Sequence, residues 1–194
     1  MGATMGQVSI ADPAPLGLAG FGITTLVLST INAGWIAPVA TPVVLALAIP
    51  FGGLAQFVAG VWAFRRGNTF AATAFCSFGA FWFSYFLLAQ FFAPEVAAKS
   101  PAVLPTILGM YLCAWGIFTA YMFLASLASA KAVTLVFLLL TATFFFLAVG
   151  QWAPSTTWTK IGGYVGLATA IVALYASFAD VTNANFKRVI LPTF

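Results

Sequence analysis

Ala11-Asp12-Pro13-Ala14-Pro15-Leu16-Gly17-Leu18 is the stretch on which the reading of this chain turns. Each proline fixes its own φ and supplies no N–H donor. Ala14, held before Pro15, is pushed away from the α region. The chain is therefore expected to arrive extended and to turn into a helix near Pro15. Proline suits a first helical turn, because the N–H groups there lack intrahelical partners anyway. The free N–H groups of Leu16, Gly17 and Leu18 would then mark the positive end of a helix dipole, which attracts anions. Two readings stand side by side. One is a helix-entry cap at a membrane surface. The other is an anion site. An apolar run of membrane-spanning length begins at Leu16.

Of 194 residues, 63% are hydrophobic and 5% charged. A soluble domain carries about 25% charged residues, so the chain reads as an all-α integral membrane protein with little outside the bilayer. Its net charge of +4 is too small and too scattered to suggest nucleic acid as a partner. No basic residue precedes the first apolar run, which argues against a secretory signal peptide. Histidine is absent. Cys76 and Cys113 fall inside apolar runs without metal-type neighbours and read as small buried hydrophobes. Neither a metal nor a cofactor is expected.

Six apolar runs can each cross the hydrocarbon, a distance that needs about 20 helical residues. They lie at 16–37, 43–64, 70–92, 104–126, 132–151 and 161–179, within one membrane domain covering 1–194. Proline, glycine and the few charges punctuate the breaks. The stretch from Ala93 to Pro105 reads as the longest loop. With alternating spans, Arg65, Arg66, Lys131, Lys187 and Arg188 share one side, and Lys99 and Lys160 the other. That bias places both termini in the cytoplasm and the chain in the cell membrane.

The three acids, Asp12, Glu95 and Asp180, all sit at span ends or in loops. No span carries an ionisable side chain in its middle, so a titratable proton wire is not expected. A passive, channel-like pathway fits better. Uncharged polarity remains. Thr25, Ser29 and Asn32 share a face of the first span, headed by Phe21. Gly52, Gln56 and Gly60 recur every four residues in the second. Thr73, Ser77 and Ser84 line up in the third beside Phe78, and Thr134, Leu138 and Thr141 in the fifth beside Leu140. Small and hydroxyl residues also let helices pack closely, which is the plainer reading of the lone Ser and Thr. Gln56 and Asn32 are harder to dismiss, since an unsatisfied amide in hydrocarbon is costly. Gly162 and Gly166 form a close-packing pair in the last span, within the subunit or between subunits.

Several motifs resemble, in order, those of the acetate uptake transporter family. Asp12-Pro13-Ala14-Pro15-Leu16-Gly17-Leu18 differs from the family's Asn-Pro-Ala-Pro-Leu-Gly-Leu at its first residue. Gly20-Phe21-Gly22, Gly52-Gly53-Leu54-Ala55-Gln56, Gly67-Asn68-Thr69-Phe70, Gly79-Ala80-Phe81-Trp82 and Phe186-Lys187-Arg188-Val189-Ile190-Leu191-Pro192 come after it in the chain. The resemblance implies six membrane helices, a homohexamer with one pathway per subunit, and passage of acetate, related small carboxylates and in some members succinate. It implies a constriction at Phe21, Phe78 and Leu140, where Phe78 stands in place of a frequent Tyr. It implies substrate contacts from Asp12, Leu16, Gly17, Thr24, Thr25 and Gln56. Hydroxyl and amide donors can replace part of a carboxylate's hydration, and an apolar ring excludes hydrated ions by dewetting.

A channel for a small neutral solute such as ammonia, urea or an amide is the alternative, since an amide-lined apolar path suits it nearly as well. An accessory membrane subunit without a pathway is a rival from another class. An enzyme is not expected, because nothing in the spans can do acid–base work. Asp12 has two plausible states, an ionised helix cap or a carboxylate protonated when acetate binds. If it is the cap, Asp12→Asn keeps the acceptor, removes repulsion of an anion and preserves or raises acetate flux at neutral pH, while Asp12→Ala lowers it. Labelled-acetate uptake by the two variants decides. A large loss in Asp12→Asn, with assembly intact, shows that the charge itself is used.

Overall fold

Hydrocarbon leaves a backbone no partner but itself, so each apolar run must close its own hydrogen-bond ladder. The computed structural model describes residues 10–153 and 155–193, and these hold six helices long and apolar enough to cross a membrane. They are α1 (Ala14–Asn32), α2 (Pro38–Arg65), α3 (Thr69–Lys99), α4 (Leu104–Ser126), α5 (Lys131–Trp152) and α6 (Thr156–Phe186). No strand occurs among the described residues.

The entry to α1 differs from expectation. Pro13 is already helical, with φ −80° and ψ −13°, and the helix includes Ala14. The Ala14 N–H donates to Asp12 Oδ1 at 3.0 Å, and the Gly17 N–H to the Pro13 carbonyl at 3.1 Å. This local turn outweighs the preference of a pre-proline residue for extended backbone. It also engages the Gly17 N–H expected to be free. The far end of α1 stops five residues early, where Gly34 turns the chain at φ 81°.

Pro50 lies inside α2 and has no N–H to give. The helix widens into π-type turns over Ala48–Ala55 and then returns to α geometry over Gln56–Arg65. Wide turns of this kind absorb a proline without breaking the span. A second widening, over Leu88–Phe92, carries α3 into Ala93–Lys99. That turns part of the expected longest loop into helix. The Lys99 ammonium meets the Glu95 carboxylate at 2.6 Å, one turn away.

α6 runs beyond both expected ends and closes at Lys187, whose φ of 54° ends the helix. The chain then folds back. The Asn183 amide accepts from the Ile190 and Leu191 N–H groups and donates to the Leu191 carbonyl. The Thr193 carbonyl accepts the Ala132 N–H at the start of α5.

α1 packs on α6, α6 on α5 and α5 on α4, while α2 packs on both α1 and α3. The backbones of α3 and α4 stand apart, so the ring of helices has one seam. Glycines set the tightest approaches. A Cβ on Gly163 would collide with the backbone of Asn32 and Ala33, and one on Gly166 with Ser29 Oγ. Gly162 meets Leu147. All three therefore pack α6 against α1 and α5 inside the subunit. Cys76 and Cys113 are half-buried free thiols rather than core residues. Trp35, Trp62, Trp152 and Trp158 are exposed near span ends, as interfacial belts require.

Gly163→Val must push α1 from α6. Overpacking here is expected to cost about 1–3 kcal/mol. The readout is loss of folded protein, or a lowered Tm in detergent.

Candidate functional site

Two cavities lie at opposite ends of the helix ring. The inner one, about 180 Å³, is lined by the starts of α1, α3 and α5 and the end of α6. It lies on the side of Arg65, Arg66 and Lys131. The outer one, about 260 Å³, is lined by the ends of α1, α3 and α5 and the starts of α4 and α6. Each has room for several water molecules or a small solute.

Phe21 and Leu140 line both cavities, and Phe78 lines the inner one. The three are 5%, 4% and 3% exposed, so none faces lipid. The ring centroids of Phe21 and Phe78 are 5.9 Å apart. Phe21 and Leu140 thus lie on the walls of both cavities, and Phe78 packs on Phe21 at the wall of the inner one. They come from the middles of α1, α3 and α5, alternate members of the ring.

Gln56 lines the inner cavity and is almost wholly buried, and its Oε1 has no partner among the described residues. The π-type turns before it bring the Phe51 carbonyl against Gly20, where a Cβ would lie 2.6 Å away. That close approach sets Gln56 against α1. Phe21, Thr25, Ser29 and Asn32 of α1 all line the outer cavity, so the stripe read on that helix is one wall. Thr25 Oγ1 and Trp82 Nε1 on that wall are also buried without partners among the described residues. An unmade buried hydrogen bond costs about 1–3 kcal/mol, and these three atoms sit on the two sides of the apolar ring.

Other expected contacts sit elsewhere. Leu16 is 44% exposed on the outside of α1. Gly17 is a packing point, where a Cβ would strike the Phe75 ring. Thr24 is fully buried, donates to the Gly20 carbonyl at 2.9 Å and packs at Gly52. Asp12 lines neither cavity. One of its oxygens caps Ala14, and the other meets Arg66 Nη1 at 3.3 Å. An exposed pair of this kind contributes about 0.2–1 kcal/mol. Thr134 and Thr141 bond to backbone carbonyls and lie off both cavities, and Leu138 is exposed. The wall of α5 is instead Val133, Val136, Phe137, Leu140, Thr143 and Phe144. Ser84 joins α3 to α4 through the Tyr111 hydroxyl at 2.6 Å.

Sequence reasoning misses Asp180 and Asn68 on the inner wall and Tyr85, Tyr111, Gln151 and Thr159 on the outer one. By its hydropathy Asp180 belongs to the tail. The length of α6 puts it a turn and a half inside a helix end. Asn68 carries one legible signal, as the cap of α3 that accepts the Ala71 N–H at 2.9 Å.

A comparison with family models matches residues 2–194 to the GPR1/FUN34/yaaH family. The succinate-acetate/proton symporter SatP of Escherichia coli K12 is 39% identical over 188 residues, covering 97% of each chain. Acetate permease A of Emericella nidulans is 38% identical over 194 residues, covering 94% of this chain and 65% of that one. Among solved structures, that of the bacterial acetate channel SatP superposes with a TM-score of 0.85 at 36% identity, over 95% of this chain and 99% of that one.

Asp180 puts a negative charge on the inner wall. If a small anion uses this cavity, Asp180→Asn removes about 1 kcal/mol of repulsion and raises its flux up to about fivefold at neutral pH. Initial uptake rates measure this. A fall instead of a rise shows that the carboxylate assists passage.

Proposed function

Because the chain belongs to the GPR1/FUN34/yaaH family, we propose that it is a multi-pass membrane channel for acetate and related small carboxylates, succinate among them. The observation that supports the reading is that two cavities share the buried Phe21 and Leu140 in their walls, with Phe78 packed on Phe21.

The physics of the path is consistent with this substrate. Acetate pairs a methyl group with a strongly hydrated carboxylate. The ring accepts the methyl and resists hydrated inorganic ions by dewetting. The carboxylate must shed water there, and donors on either side replace part of the loss. Thr25 and Trp82 can donate from the outer wall. Gln56 can present its NH₂ group by rotating its amide. Binding at each place need only be weak, since conduction requires the solute to leave again. A Phe at position 78 gives the ring no hydroxyl, so selection at the narrowest level is by size and apolarity.

The same reading extends to assembly and orientation. Each subunit holds a complete path, so a homohexamer would carry six. The Lys/Arg bias places the inner cavity and both termini in the cytoplasm. The protein acts as a pathway and not as a catalyst.

One observation supports a second solute class. Ammonia transport outward protein 2 of Saccharomyces cerevisiae is 34% identical over 186 residues. The mostly apolar walls here would also pass a neutral molecule.

Proteoliposomes loaded with the purified protein separate these readings. Uptake of labelled acetate above protein-free vesicles is expected, and ammonia flux without acetate flux would replace the carboxylate reading with the neutral one. An imposed pH gradient that drives acetate uphill faster than in protein-free vesicles reveals proton coupling. Gln56→Leu, of similar size, is expected to cut acetate flux about tenfold with assembly intact, because it removes the one amide at the ring. Phe78→Ala is expected to admit larger carboxylates. Unchanged flux in the first and unchanged selectivity in the second would reduce both residues to packing.

A further inference from the structure

Phe78 is held from behind. Its ring lies against those of Trp115 and Phe118 on α4, with centroids 6.1 and 5.4 Å away, and against Phe137 on α5 at 6.1 Å. Trp115 and Phe118 are themselves edge-to-face at 5.6 Å. Trp115 is braced further by Phe81 at 5.1 Å and Phe118 by Tyr121 at 5.1 Å. Neither Trp115 nor Phe118 lines either of the two cavities.

This shelf occupies the seam where the backbones of α3 and α4 stand apart. Elsewhere in the ring, neighbouring helices fix each other through close backbone approach. Here the distance is spanned by aromatic side chains and by the Ser84–Tyr111 hydrogen bond toward the outer side. The position of Phe78 relative to Phe21 and Leu140 therefore depends on the volume of the α4 rings. A phenylalanine has only two side-chain torsions and no polar anchor. Without a wall behind it, Phe78 can swing toward α4 and widen the ring.

We infer that Trp115, with Phe118, is a positioning residue that sets the aperture at Phe78 and so the size of carboxylate that passes. The inference rests on the carboxylate reading. It adds a specificity determinant that lines neither cavity and acts through Phe78, the ring it backs.

The experiment compares uptake of acetate and butyrate by the full-length protein in proteoliposomes. Trp115→Ala is expected to raise the butyrate-to-acetate ratio about tenfold, the scale on which pockets discriminate added methylenes. Trp115→Phe keeps most of the shelf and is expected to hold the ratio within about twofold of wild type. In a Phe78→Ala background, Trp115→Ala should change the ratio no further, since a residue that acts through another is not additive with it. Phe118→Leu thins the same shelf more gently and carries the same direction, so poor folding of Trp115→Ala leaves the test intact. An unchanged ratio in Trp115→Ala or Phe118→Leu, with acetate flux present, overturns this inference alone. An equal further rise in the Phe78→Ala background also overturns it. Wild-type vesicles that pass no carboxylate overturn the carboxylate reading as well.

Discussion

A buried backbone amide in hydrocarbon has no water to turn to, and that constraint shapes every irregularity in this protein. Pro50 would leave a gap in an α-helical ladder. The π-type turns over Ala48–Ala55 redistribute the carbonyls instead, and the span continues. The same widening pushes the Phe51 carbonyl toward α1, which is tolerated only because Gly20 has no side chain there. Gln56 comes at once after these turns and sits on the inner cavity wall beside Phe21. A backbone problem in α2 is thus resolved in a way that places Gln56, the one buried side-chain amide among the described residues, on the inner cavity wall.

The helices are apolar on all sides, so burial against lipid and burial against a neighbour have similar energies. Packing is then decided by shape. Gly163 and Gly166 let α6 reach α1, and Gly60 and Gly79 let α2 reach α3. Where small residues are lacking, between α3 and α4, rings fill the space. Close helices seal the sides of the path. The aromatic seam backs Phe78 on the side away from Phe21.

Charge is kept to the ends of the helices. Asp12 and Arg66 pair at the inner end, tying the entry of α1 to the exit of α2. Asp180 lies on the cavity wall, within electrostatic reach of Asp12. The cavity walls hold hydroxyl, amide and indole groups, three of them without partners among the described residues. Such groups interact with a passing solute without the desolvation cost of a fixed charge.

Six spans are legible in the residues alone, because about 20 apolar residues in a row have one stable arrangement in a bilayer. So are the extent of α4, to the residue, and the stripe from Phe21 to Asn32, where hydroxyl and amide groups mark one face. The motif resemblance placed Phe21, Phe78 and Leu140 together. It could not tell Thr25 from Thr24, neighbours that point to a cavity wall and to a helix contact. Nor could it find the wall of α5, since a helix apolar on every side carries no amphipathic signal. Helix lengths beyond the lipid, and with them the place of Asp180, depended on how α6 packs past its hydrophobic stretch. The position of Trp115 behind Phe78 comes from the folded arrangement and from nothing local. That contact joins residues 37 positions apart across a seam with little backbone contact, and no periodicity along the chain encodes it.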